Sequence, residues 1–120
     1  MLWHKYSMGA QQAMAQQKHS EAENLLKQAI SEAEKDLGKF DNQIATLLNN
    51  LATCQRNQGK HADAENTYKQ ALDVRQKALG PLHKEEIIIL ENYARLLRTC
   101  GREAEAKKLD ERALGIMRKS

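Results

Sequence analysis

The sequence repeats itself with a period of 42 residues, which limits the chain to architectures built from stacked copies of one unit. A shift of 42 residues aligns positions 2–43 with 44–85 without a gap and gives 13 identities. A second shift aligns 44–78 with 86–120 and gives 10 identities over 35 positions. Such self-similarity is typical of solenoid proteins, in which each unit buries its apolar face against its neighbours. We expect a single domain over residues 1–120, with units at 2–43, 44–85 and 86–120.

Each unit carries two segments with the apolar spacing of a helix. In the middle unit, Ile44, Leu47 and Leu51 fall on one helix face, and Gly59 follows as a typical helix-ending residue. A second periodic segment ends at Gly80, just before the only proline. The run Ile87–Leu90 has the β-branched composition of a strand, but it aligns with a helix of the middle unit. The sequence therefore predicts an all-α fold with six helices, near 3–16, 19–37, 42–58, 61–79, 84–100 and 103–118.

Composition excludes several classes of function. The 19 basic and 16 acidic residues give a net charge of only +3, which is far from the dense positive charge of nucleic-acid-binding proteins. No apolar run approaches the ~20 residues that cross a bilayer. We therefore expect neither nucleic acid nor a membrane as a partner. Cys54 and Cys100 lie on apolar stripes and are expected in the core as reduced thiols, which favours a cytoplasmic location.

The middle unit carries the most complete repeat pattern, at Leu48, Leu51, Ala52, Gly59, Ala64, Tyr68, Ala71, Leu79, Gly80, Pro81 and His83. This pattern resembles tetratricopeptide repeats of the 42-residue kinesin-light-chain type, and the last unit resembles the terminal repeat of bacterial proteins of this type. The resemblance implies a right-handed superhelix of three helix hairpins, in which the first helix of each hairpin lines a concave groove. It also implies binding of a peptide or partner protein without catalysis or cofactors.

The groove implied by this resemblance is lined by polar positions opposite the apolar stripes. Asn50 and Asn92 occupy equivalent positions, and an amide can both donate to and accept from a peptide backbone. A hydrogen bond within the protein is the alternative role for both amides. The arginines favour an acidic peptide or a C-terminal carboxylate, although they could equally be solvated surface charges. The predicted groove residues are Asn49, Asn50, Thr53, Arg56, Asn57, Glu91, Asn92, Arg95 and Arg98.

No catalytic or metal-binding site is expected. His19 and Glu23, and their equivalents His61 and Glu65, have a spacing compatible with a metal ion, but no further ligand lies near either pair in the sequence. No catalytic triad pattern and no glycine-rich phosphate loop is present.

Self-association through the first helix is the alternative function. Leu2, Trp3 and Tyr6 lie on this helix, and no preceding helix of the chain covers it. These residues could form the contact of a homodimer, or they could pack into the core of their own unit.

Overall fold

The computed structural model describes residues 1–119 and contains six α-helices joined by short connections. Within these residues there is no β-strand, which confirms the predicted all-α class. The run Ile87–Leu90 belongs to the fifth helix, where Ile89 and Leu90 are fully buried. The helices are α1 (Leu2–Ala15), α2 (His19–Leu37), α3 (Asn42–Asn57), α4 (His61–Leu79), α5 (Glu86–Thr99) and α6 (Glu103–Lys119).

The helices form a solenoid of three hairpins. The hairpins are α1 with α2, α3 with α4, and α5 with α6, while α2 also packs on α3 and α4 on α5. Ala22, Ala64 and Ala106 stand at equivalent positions near the start of each second helix, and all three are 0% exposed. A small side chain lets neighbouring helices approach closely at these points. The stack measures 37 × 30 × 20 Å.

The turn inside each hairpin requires a left-handed backbone conformation. Gly59 and Gly101 supply it in the second and third hairpins, with φ of 80° and 75°. In the first hairpin the equivalent residue is Gln17, which adopts φ of 59° despite its Cβ atom. The 42-residue period therefore preserves the backbone conformation even where the sequence departs from glycine.

The two cysteines differ in their surroundings. Cys54 is fully buried in the core, as the sequence predicts. The same prediction is wrong for Cys100, which is exposed. Cys100 is the C-cap of α5, where the chain leaves the helix for the turn at Gly101, so its side chain no longer continues the buried stripe.

Candidate functional site

A depression of about 500 Å³ lies between α3, α5 and the loop that joins α4 to α5. We call it the groove pocket, and we call the surface of α3 and α5 around it the α3–α5 face. Its lining combines polar side chains from α3, one arginine from α4 and an apolar wall from α5. The lining residues are Thr46, Asn49, Asn50, Arg75, Lys84, Glu85, Ile87 and Ile88.

A chain of hydrogen bonds joins α5 to α3 beside the groove pocket. Arg95 Nη1 donates to Asn92 Oδ1 at 3.3 Å, and Asn92 Nδ2 donates to Asn49 Oδ1 at 3.2 Å. Asn49 is buried, with 7% of its surface exposed. Three of the predicted groove residues, Asn49, Asn92 and Arg95, are therefore hydrogen-bonded in a row. The nitrogen and the oxygen of the Asn92 amide both take part in hydrogen bonds within the protein.

Asn50 differs from Asn92 although the repeat makes the two positions equivalent. Ser7 occupies in the first unit the position that Asn49 occupies in the second. Within residues 1–119 no hydrogen bond joins the half-exposed Asn50 side chain to Ser7 or to any other group. We attribute the difference to length, because the serine hydroxyl is shorter than an asparagine side chain. The Asn50 amide thus remains open to the groove pocket with its donor and its acceptor.

Thr53 and two arginines extend the α3–α5 face beyond the amides. Thr53 Oγ1 lies 3.0 Å from the buried Tyr68 hydroxyl. Burial raises the pKa of Tyr68, and the hydrogen bond with Thr53 and the positive charges of Arg56 and Arg95 oppose this rise. Arg56 Nη1 is a buried nitrogen without a hydrogen-bond partner. Within the described chain neither arginine forms an ion pair, so this part of the face carries uncompensated positive charge.

Three other predicted groove residues lie apart from this cluster. Arg98 forms ion pairs inside its own hairpin: it binds Glu103 at 3.0 Å and also Asp110, both of α6. Glu91 lines a separate shallow depression with residues of α6. Asn57 is exposed in the last turn of α3. The uncompensated charge of the α3–α5 face thus comes from Arg56 and Arg95 rather than from all three arginines.

A buried carboxylate links the first hairpin to the second, which the sequence analysis did not predict. Glu23 is 4% exposed and accepts hydrogen bonds from Lys60 Nζ and Gln58 Nε2, both at 2.9 Å. Gln55 and Lys27 bind its second oxygen. Burial alone would raise the pKa of Glu23, but these donors outweigh burial and lower it to about 2. Glu23 is therefore a charged acceptor held between hairpins.

The equivalent carboxylate, Glu65, links the second hairpin to the third. Arg102 binds it through two nitrogens, at 2.8 and 3.0 Å, and Tyr93 donates its hydroxyl proton at 2.7 Å. The hydrogen bond from Arg102 is the main reason why the pKa of Glu65 is lowered. We call the Glu23 and Glu65 groups the inter-hairpin clamps. The sequence signal was present, since glutamate recurs 42 residues apart and so does the basic residue after the hairpin glycine, at 60 and 102.

The two glutamates of the histidine–glutamate pairs have roles within the fold. Both glutamates belong to the inter-hairpin clamps, and residues 1–119 contain no group of three metal-ligating side chains. Burial, reinforced by the nearby negative charge of Glu23, raises the pKa of the Cys54 thiol to about 11. A thiol with such a pKa stays protonated at neutral pH and is a poor nucleophile.

The first helix exposes less apolar surface than its sequence suggests. Trp3 is packed into the core and is only 9% exposed, while Tyr6 is half-buried against the same core. Leu2 and Met8 are exposed, at 47% and 60%. Across the described helices none is both long and apolar enough to span a bilayer.

Comparison with known proteins gives consistent results for the fold. The tetratricopeptide repeat family model matches residues 6–77 and 43–119. The crystal structure of BtubC (BKLC) from P. vanneervenii superposes with a TM-score of 0.92 at 24% identity, covering 99% of this chain and 47% of that one. A Podosopora anserina protein assigned to the kinesin light chains, with nearly identical TPR-like repeats, gives a TM-score of 0.81 at 22% identity, covering 97% and 55%. The chain thus spans about half the length of each. No curated protein matches the sequence.

Proposed function

We propose, on the premise that this chain belongs to the tetratricopeptide repeat family, that it binds an extended peptide segment of a partner protein along the α3–α5 face. The tetratricopeptide repeat fold indicates a protein–protein interaction scaffold, and proteins of this family are generally not catalysts. The proposal adds the location of binding and the residues that carry it. We also propose that units 2–43, 44–85 and 86–120 act together as one binding domain.

The open amide of Asn50 is the observation that carries this proposal. An extended peptide exposes alternating N–H and C=O groups, and a side-chain amide can pair with both. Asn50 can do so without breaking a hydrogen bond, because its side chain has no partner within residues 1–119. Asn92 already donates one amide hydrogen to Asn49 and accepts one hydrogen bond from Arg95, so only half of its hydrogen-bonding capacity is left for a peptide. We therefore assign the larger share of backbone recognition to Asn50.

The charges of the same face favour an acidic segment. Arg56 and Arg95 bring two positive charges that no carboxylate of the described chain compensates. Guanidinium groups bind carboxylates with two parallel hydrogen bonds when the geometry allows, which adds orientation to charge attraction. Because Arg95 is exposed, its contact with a carboxylate contributes modestly, by ~0.2–1 kcal/mol, and salt weakens it.

The experiment is a titration of a partner captured with the full chain from its source. Wild type, Asn50→Ala, Asn92→Ala and Arg95→Ala are compared at low and high salt. Asn50→Ala should weaken binding the most, because a buried hydrogen-bonding group left unpaired costs ~1–3 kcal/mol. Arg95→Ala should reduce the dependence on salt. A partner that binds all variants as tightly as wild type would contradict binding on the α3–α5 face.

Self-association through α1 is the second candidate, supported by the exposed side chains of Leu2 and Met8. The burial of Trp3 removes the largest side chain from the proposed contact. Light scattering of wild type and Leu2→Asp distinguishes the two functions. A dimer that the substitution dissociates would favour self-association, and a monomer in both cases would exclude it.

A further inference from the structure

Arg75 is a buried arginine at a position where the other two units have apolar residues. The equivalent residues are Ala33 in α2 and Met117 in α6. Only 6% of the Arg75 side chain is exposed, yet its guanidinium reaches the lining of the groove pocket. A charge in such a place is costly unless it is paired, so the partners of Arg75 are informative about its role.

Arg75 is incompletely paired within the protein. Its Nη2 donates to Thr46 Oγ1 at 3.2 Å, and its Nη1 donates to Glu85 Oε1 at 3.1 Å. Its Nε is buried and has no partner. The guanidinium thus retains an unused donor beside the pocket, and its strongest acceptor comes from a single neighbouring carboxylate.

That carboxylate is only loosely held. The Glu85 side chain is 48% exposed, and the same Oε1 also accepts from Asn42 Nδ2 at 3.3 Å. Because Glu85 is half exposed, water can hydrate its carboxylate when it leaves the ion pair. An incoming carboxylate would at the same time take over the pairing of the buried guanidinium, so the exchange does not leave Arg75 unpaired. Glu86, the adjacent acid, accepts hydrogen bonds from Gln76 and Arg112 through one oxygen, while its other oxygen is buried without a partner. Within residues 1–119 no hydrogen bond joins Glu86 to Arg75, so Glu85 is the carboxylate that pairs with the guanidinium.

The rest of the pocket suits a carboxylate carried on a peptide. Lys84 adds a second positive charge, Asn50 offers an open amide, and Ile87 and Ile88 form an apolar wall. Without Glu85, the lining holds two cations and no acid. A ligand carboxylate can complete the guanidinium pairing while its neighbouring residues pack on the isoleucines.

We propose that the groove pocket is a carboxylate-binding subsite centred on Arg75, and that Glu85 occupies it internally until a partner carboxylate displaces it. The carboxylate is an acidic side chain or the C-terminus of the bound peptide. This inference rests on the proposed function and adds the chemistry of one subsite to it.

The test follows the Arg75 Nε–Hε signal by nuclear magnetic resonance during titration with three short peptides. The first has blocked termini and one aspartate between leucines, the second has asparagine instead, and the third is the asparagine peptide with a free C-terminus. We expect the signal to move with the aspartate peptide or with the free C-terminus, which identifies the source of the carboxylate. The blocked asparagine peptide should leave it unchanged.

Variants complete the test. Arg75→Met, which copies the residue of the third unit, should weaken carboxylate binding about tenfold or more, because charge-assisted hydrogen bonds are lost. Glu85→Ala should tighten it about two- to fivefold by removing the internal competitor. Glu111→Ala, which removes an exposed carboxylate from α6, is the matched control and should not change it.

Three outcomes would overturn the subsite: no shift of the Arg75 signal with any peptide at millimolar concentration, an equal shift with the blocked asparagine peptide, or unchanged binding in Arg75→Met. A failure of the subsite can be distinguished from a failure of the proposed function. A captured partner that depends on Asn50 but not on Arg75 would refute the subsite alone. Carboxylate binding at Arg75 with a partner indifferent to Asn50→Ala would refute binding across the α3–α5 face alone.

Discussion

The inter-hairpin clamps and the α3–α5 face are both polar, but only the clamps are closed. In the clamps, both oxygens of Glu23 and of Glu65 accept hydrogen bonds from neighbouring hairpins. On the α3–α5 face and in the groove pocket beside it, Arg56 Nη1 and Arg75 Nε are buried without partners, and the Asn50 amide is open. Polar groups that satisfy one another hold a fold together, whereas unsatisfied groups beside a pocket are available to a ligand.

The repeat explains why the two regions differ. The centre of each clamp recurs at the 42-residue period, with Glu23 and Glu65 as acceptors and Lys60 and Arg102 as basic donors. The open groups arise where the period is broken, as at Ser7 against Asn49 or at Ala33 against Arg75. Recurring positions therefore maintain the stacking of hairpins, and departures from the repeat give the α3–α5 face its individual chemistry.

The largest effect should come from removing a clamp carboxylate. Glu23→Ala leaves the buried Gln55 amide and the Gln58 and Lys60 donors without their acceptor, so we expect a loss of about 2–3 kcal/mol in the free energy of unfolding. Glu65→Ala should cost less, because Arg102 retains Glu105 as a partner. Chemical denaturation measures both. Glu21→Ala, an exposed acid of the same helix, is the control, and equal losses at 21 and 23 would refute the clamp.

Acid should act through the same carboxylate. The pKa of Glu23 is lowered to about 2 in the folded chain, against about 4.3 when unfolded. Its contribution to stability, ~3 kcal/mol, is therefore complete above the unfolded pKa and is lost as the pH falls from about 5 towards 2. Thermal melts across this range should show a smaller acid-induced decrease in Glu23→Gln than in wild type. Identical decreases would mean that Glu23 does not carry this linkage.

Overpacking at the helix contact should have a somewhat smaller effect. Ala64 is 0% exposed where α4 meets its neighbours, so Ala64→Leu should destabilise the fold by ~1–3 kcal/mol and lower the melting temperature by several degrees. Ala62→Leu places the same side chain on the exposed side of α4 and should leave the melting temperature nearly unchanged. An unaffected melt of Ala64→Leu would contradict the observed register of α4.

The smallest effect on stability should occur in the groove pocket. Replacing Arg75 by methionine removes a charge that is incompletely paired, and such replacements are often neutral or stabilising. We expect the free energy of unfolding of Arg75→Met to lie within about 1 kcal/mol of the wild-type value, in contrast with that of Glu23→Ala. Urea denaturation of the two variants side by side checks this. A loss at Arg75 as large as that at Glu23 would place Arg75 among the structural residues and remove the distinction between the regions.

The sequence predicted most of the fold because the fold depends on recurring apolar and small residues. Helical periodicity placed all six helices within two residues of their observed ends. The burial of Leu51, Ala64 and Tyr68 followed from the same pattern. Cys100 was misplaced because periodicity does not indicate where a helix stops and its stripe ends.

The polar sites were less predictable, since a hydrogen bond depends on side-chain length and direction as well as on position. Asn50 and Asn92 are equivalent in sequence, but Asn92 donates a hydrogen bond to Asn49, whereas within residues 1–119 none joins Asn50 to Ser7, the equivalent of Asn49. Arg98 was expected on the groove, and the carboxylates of Glu103 and Asp110 bind it inside its own hairpin. Arg75 has the spacing of a core residue, and only the structure reveals that its guanidinium reaches the groove pocket.

The most direct test of the central claim is a partner titration with a matched pair of asparagine variants. Asn50 lies open on the α3–α5 face, and Asn66 is exposed on α4. We predict that Asn50→Ala weakens partner binding about five- to a hundredfold, since the loss of a paired amide costs ~1–3 kcal/mol, and that Asn66→Ala binds as wild type does. Equal affinities of the two variants, or a loss confined to Asn66→Ala, would contradict recognition on the α3–α5 face.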